Sequence, residues 1–120
     1  MYKQDYILRM VTELIRFLAV IFFGQDSVEY ELPDDGEYTE LDLIHLQLVK
    51  LIEQGRINEA EDLLFEGLNR ESKTYLKLVL DFYRRLNDLD DEFLEENDFP
   101  REEIKQGVKE LADQFGIPLA

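Results

Sequence analysis

The chain has 120 residues, of which 45% are apolar, with eight Phe and six Tyr; that is enough for one hydrophobic core without disulfide or metal staples. It contains no cysteine, which excludes disulfides, thiolate metal sites and a nucleophilic thiol. A formal net charge of −15 opposes binding to nucleic-acid phosphate or to an anionic membrane surface, because both depend on Lys and Arg.

Residues 4–23 read as the first helix. The polar residues Asp5, Arg9, Thr12, Glu13 and Arg16 form one narrow stripe at helical spacing, and nearly all other positions are apolar. With so little polar circumference, this helix is expected either to be central in the fold or to be covered by a second copy of the chain. Its longest apolar run, Phe17 to Phe23, is far short of the roughly 20 residues a membrane span needs. Lys3, Asp5, Arg9, Glu13 and Arg16 interrupt the N-terminal segment, so neither a span nor a cleavable leader is expected, and a cytoplasmic location is. Gly24 suits the end of the helix.

Residues 25–39 read as a loop. Pro33 and the turn-forming Asp34-Asp35-Gly36 oppose regular structure. Across 25–40 there are seven acidic residues and no basic one, whereas 1–24 hold three basic and two acidic residues. A strand at Val28–Leu32 would have no evident partner, and the segment is expected to be mobile.

The second helix covers about 40–54, with Leu41, Ile44, Leu48, Leu51 and Ile52 on its apolar face. Gly55 and Arg56 break the pattern. Asn58 and Glu61 then have the spacing of a capping box, and Ile57, Ala60, Leu64 and Leu68 continue as a buried stripe. Ser72 is the expected N-cap of a long helix over 73–95, carried by Tyr75, Val79, Phe82, Leu86, Leu89 and Phe93. A last helix over 100–115 starts with Pro100 in the tolerated first turn and ends at Gly116-Ile117-Pro118. The chain is therefore expected to be a single all-α domain over 1–120, a bundle of about five helices.

The stretch Leu51–Leu68, LIEQGRINEAEDLLFEGL, resembles the middle of a tetratricopeptide repeat (TPR). In that family a Gly separates two helices, an apolar residue follows two positions later, and a small Ala opens the packed face of the second helix; Gly55, Ile57 and Ala60 occupy those places. The resemblance implies an antiparallel helical hairpin over 40–69. Leu48 and Gly67 depart from the family's small residues, and Ser72 from its terminal Pro. One repeat period later, Leu89 and Leu94 replace the expected Gly and Ala, so this is one degenerate repeat and not an array. The opening helix, DYILRMVTELIRFLAVIFF, resembles that of a group of small uncharacterised bacterial proteins carrying a TPR-like pair behind it. That likeness implies the fold and a bacterial cytoplasm, with no function attached.

Chemistry is sparse. His45 is the sole histidine, with Asp42 three residues before it on the same helical face. Di-iron bundles need two such pairs and two further carboxylates, so His45 is expected to be a surface or half-buried structural residue, with no metal or cofactor. The run Asp88-Leu89-Asp90-Asp91-Glu92 lacks the Gly and Glu of a calcium loop and reads as a solvated helix end. No serine has a credible base, and no glycine-rich phosphate loop is present.

The leading expectation is thus a protein that is not an enzyme: a helical interaction module that pairs with itself through the first helix as a homodimer and binds a further protein. Phe17, Ile21, Phe22 and Phe23 are the expected interface residues. Two alternatives stand beside it: a small enzyme or metal-binding bundle around His45, and an acidic mimic that occupies the nucleic-acid site of a basic protein.

Overall fold

The computed structural model describes residues 2–66 and 72–118, with side chains from Asp5 onward. These residues form six α-helices and no strand: α1 (Tyr2–Phe23), α2 (Glu40–Glu53), α3 (Ile57–Leu64), α4 (Lys73–Asn87), α5 (Asp91–Glu96) and α6 (Arg101–Gln114). The all-α expectation holds.

Local chemistry starts these helices where side chains can accept the free N–H groups of a first turn. Thr39 opens α2 with a full capping box: its hydroxyl accepts the Asp42 N–H at 3.2 Å, and the Asp42 carboxylate accepts the Thr39 N–H at 2.8 Å. Ser72 opens α4 by accepting the Tyr75 N–H at 2.9 Å, as its position predicts. Asn58 does not cap α3. That helix begins at Ile57 without a side-chain cap, and the Asn58 amide instead donates to the Asp98 carbonyl at 3.1 Å. The tertiary partner outcompetes the local one. Gly55, with φ +77°, turns the chain between α2 and α3, where an added Cβ would strike the Asn97 side chain. The α2–α3 turn therefore rests on the end of α5. Gly67 and Leu68, and the rest of 67–69 in the expected hairpin, lie outside the described residues.

The central position, one of the two places expected for α1, belongs to α4. Helices α1, α2 and α6 all pack against α4, and from Tyr75 to Asn87 it buries ten residues, Asp81 and Asn87 among them. Helix α1 turns Ile7, Val11, Ile15, Leu18 and Ala19 inward against α4 and α6. Helix α6 comes close to α4 because Gly107 faces Tyr83; a Cβ there would overlap the phenol ring. The Tyr83 hydroxyl in turn donates to Glu61 of α3 at 2.8 Å.

The long helix expected over 73–95 is two helices. Asp88 ends α4, and Asp90 caps α5 by accepting the Phe93 N–H at 2.8 Å. The break is held by Arg101, which is 2% exposed. Its Nη1 donates to the Asn87 carbonyl at 2.7 Å and to Asn87 Oδ1 at 2.9 Å. Its Nη2 donates to the Leu89 carbonyl at 2.7 Å, and its Nε to Asp91 at 2.9 Å. A cation at a helix C-terminus satisfies carbonyls that have no partner in the next turn and opposes the helix dipole. The Asn87 amide also donates to the Leu8 carbonyl and the Thr12 hydroxyl, each at 3.1 Å, so this one junction ties α1, α4 and the start of α6 together. Replacing Arg101 by Met, similar in length and uncharged, leaves those buried acceptors bare. Urea denaturation of Arg101→Met is expected to show a loss of about 3–5 kcal/mol; a loss below about 1 kcal/mol would mean that water satisfies the junction.

Candidate functional site

The acidic segment 25–39 has no regular structure, yet it is pinned and not free. Val28 and Tyr30 are buried while Glu29 and Glu31 stay exposed, the alternation of an extended chain. No neighbouring strand is needed, because α4 supplies the partners. The Tyr30 N–H donates to Asp81 at 3.1 Å, and the Val28 carbonyl accepts from Arg84 Nε at 3.1 Å.

Asp81 is the hub of this arrangement. It is 1% exposed and also receives Arg84 Nη2 at 2.8 Å and Arg85 Nε at 2.7 Å. The arginines lie three and four residues on, one turn up the same face. On the other side of the segment, the Tyr30 hydroxyl donates to Asp42 at 2.6 Å. That bond, followed by the Thr39 N–H, holds the Asp42 carboxyl below its ordinary range, and burial raises the Tyr30 phenol.

His45 belongs to the same cluster. It is buried, not at the surface or half-buried as expected: its ring lies 4.8 Å from that of Tyr30, and Nδ1 stands 3.8 Å from Asp81. Burial lowers its affinity for a proton, with Arg85 acting in the same direction and Asp81 and Asp42 against it. Asp42 and His45 do come together, as their spacing suggests, but around a tyrosine and a second carboxylate, Asp81. Among the described residues, no three His, Asp or Glu side chains are arranged to hold a metal ion.

Above this cluster an open cleft of about 590 Å³ lies between the acidic segment and the first turns of α4, with Phe23, Tyr30, Glu37, Lys73 and Lys77 among its walls. Acidic and basic groups face each other across it, so it selects no single ligand charge. Of the run Asp88–Glu92, Asp90 is spent on capping and Asp91 on Arg101.

The four expected interface residues divide into two pairs. Phe17 and Ile21 are 45% and 47% exposed. Phe22 and Phe23 are half-buried: Phe22 meets Phe115 of α6 edge-on at 5.1 Å, and Phe23 lies under Lys77 of α4 at 5.5 Å. Val20 (47%) and Tyr6 (60%) join the exposed pair. Tyr6, Met10, Phe17 and Ile21 fall on one side of α1, next to the buried stripe. Their recurrence at four- and seven-residue intervals was legible in the sequence, but the all-round apolar character of the helix hid it.

The model of a protein family described as a family of unknown function, DUF6483, matches residues 1–116. The chain belongs to this family. In this DUF6483 protein the match runs from α1 through the end of α6, so the pinned segment and the exposed α1 face both lie inside it. No curated protein matches the chain, and no solved structure does.

The cluster makes two substitutions informative. Asp81→Asn removes the charge that three donors share. Arg84 and Arg85 keep 31% and 32% of their side-chain surface in water and can be resolvated, so the expected loss is that of charge-assisted hydrogen bonds, about 1.5–3 kcal/mol. Amide exchange should accelerate at Tyr30 more than in α6. For His45, the folded state holds the proton more weakly than the unfolded chain, whose imidazole titrates near 6.5. The His45 contribution is therefore complete above that pH and is lost as pH falls through the depressed folded value. Relative to His45→Gln, the native chain should lose stability between pH 7 and 5; parallel profiles for the two would remove His45 as the cause.

Proposed function

We propose that this DUF6483 protein is a non-enzymatic helical interaction module that works as a homodimer joined through α1. One observation carries the reading: a helix that already packs on α4 and α6 leaves Tyr6, Phe17, Val20 and Ile21 between 45% and 60% exposed. A cluster of large apolar side chains on one element is the usual mark of a contact surface, and a two-fold pair is the commonest closed assembly.

Charge supports the same occupant. Two copies of a chain carrying −15 repel, and the repulsion is least where α1 faces α1, since residues 1–24 are close to neutral. The pinned acidic segment is then left to steer a basic protein partner, an effect on association rate that salt screens. The TPR-like pairing of α2 with α3 is part of the same reading, as is a place in the bacterial cytoplasm. Among the described residues, no helix is long and apolar enough to cross a membrane. Against an enzyme stands His45, the one side chain on which such a reading would rest. It is 5% exposed and sealed between Tyr30 and Asp81, outside the walls of the cleft.

Light scattering across a concentration series is expected to give the mass of two chains. Phe17→Asp with Ile21→Asp should shift the mass to one chain while leaving the helical circular dichroism unchanged. Phe22→Asp and Phe23→Asp should instead lower stability, because both rings pack on the core. A native chain that is monomeric at every concentration overturns the proposal.

A further inference from the structure

Building on the reading of α1 as a self-association surface, we infer that two copies pair α1 against α1 antiparallel, about a two-fold axis passing between Glu13 and Leu14. Four apolar positions on the outer side of α1, Tyr6, Met10, Phe17 and Ile21, form a strip at intervals of four, seven and four, with the exposed Val20 on its flank. This series reads the same in both directions. An antiparallel two-fold sets Tyr6 against the partner's Ile21 and Met10 against the partner's Phe17, so each side chain of the strip meets an apolar one, with the alternating spacing of a helix–helix seam. A shallow depression of about 370 Å³ lies between Tyr6, Arg9, Met10 and Glu13, at the level where the partner's Phe17 would enter.

The opposite arrangement, with the helices parallel, is disfavoured on three counts. It puts Glu13 and the partner's Arg16 on opposite flanks of the seam, whereas the antiparallel pair sets them on the same flank within one turn, where the Glu13–Arg16 pair already present in each helix meets its copy. Parallel helices also align their dipoles, while antiparallel ones oppose them. The strongest repulsion arises from the acidic segment. Residues 25–40 carry seven acidic side chains and no basic one, and they leave from the C-terminal end of the helix. A parallel pair crowds both segments at one end. An antiparallel pair sets them about 30 Å apart, at 1.5 Å per residue along a 22-residue helix. That separation is several times the screening length of roughly 8 Å at physiological salt. Each end of the dimer then presents one acidic segment.

The sequence has no cysteine, so introduced thiols report without background. Tyr6→Cys, Ile21→Cys and the double variant Tyr6→Cys/Ile21→Cys, all at exposed positions, are treated with a short bismaleimide at a concentration where the chain is dimeric. The expected result is a linked two-chain product from the double variant and only traces from either single one. Efficient linking of Tyr6→Cys alone would establish the parallel arrangement and overturn the inference while leaving the α1 homodimer intact. If no variant links although light scattering still gives two chains, the contact lies elsewhere on the surface and both readings of α1 fail. A mass of one chain throughout removes the homodimer itself.

Discussion

A carboxylate placed in an apolar interior must be answered by donors, because its desolvation is not recovered otherwise. In this protein the carboxylate is Asp81, at the middle of α4, and its donors come from two places. Arg84 and Arg85 are its own helical neighbours, while the Tyr30 amide belongs to a segment 51 residues away. Satisfying Asp81 therefore brings the acidic segment down onto α4. Once Tyr30 is there, its ring covers His45 and its hydroxyl reaches Asp42, so α2 is drawn into the same cluster. The arginines answer Asp81 and one of them also holds the Val28 carbonyl, which explains how a stretch so rich in acid can lie against the core.

A second buried charge plays the corresponding part at the other end of α4. Arg101 takes up the carbonyls of Asn87 and Leu89, where α4 stops and the chain bends into α5. Asn87 passes the connection on to α1. With both clusters satisfied, α4 can keep Asp81 and Asn87 buried while three other helices pack around it. Its burial removes from α1 the need to be central. Helix α1 then covers one flank of α4 with its inner stripe and keeps a second apolar stripe outside, which is the physical basis for the proposed dimer. The same arrangement fixes the geometry of its acidic neighbour: the segment leaves the end of α1 and is fastened to the protein body within a few residues, so its charge travels with the helix into any pair that α1 forms.

Membership of a family of unknown function attaches no reaction to this scaffold, and the buried clusters tie its helices and the acidic segment together. Tyr30, Asp42, His45 and Asp81 have the residue types of a catalytic site, but Asp81 is engaged by Arg84, Arg85 and the Tyr30 amide, Asp42 by the Tyr30 hydroxyl and the Thr39 amide, and His45 is packed between Tyr30 and Asp81. The large apolar side chains left exposed are on α1, on α2 at Leu43 and Leu46, and at Tyr38 before it.

Much of the fold was legible in the residues because it rests on local rules. The helical periods of α1, α2, α4 and α6, the cap at Ser72, the turn at Gly55 and the irregular acidic segment all come from spacing, capping and turn chemistry within a few positions. Three features required the tertiary structure. The break after Asp88 runs through positions whose apolar period continues into Leu89 and Phe93, and it is decided by Arg101, a residue that a sequence reading places on the next helix. The burial of Asp81 and His45 depends on Tyr30, far away along the chain. The division of α1, with Phe22 and Phe23 taken by α6 and α4 while Phe17 and Ile21 are left outside, depends on which neighbours arrive. Periodicity reports which side chains avoid water; only the packed structure decides which of them find a partner within the same chain, because that depends on contacts between residues tens of positions apart.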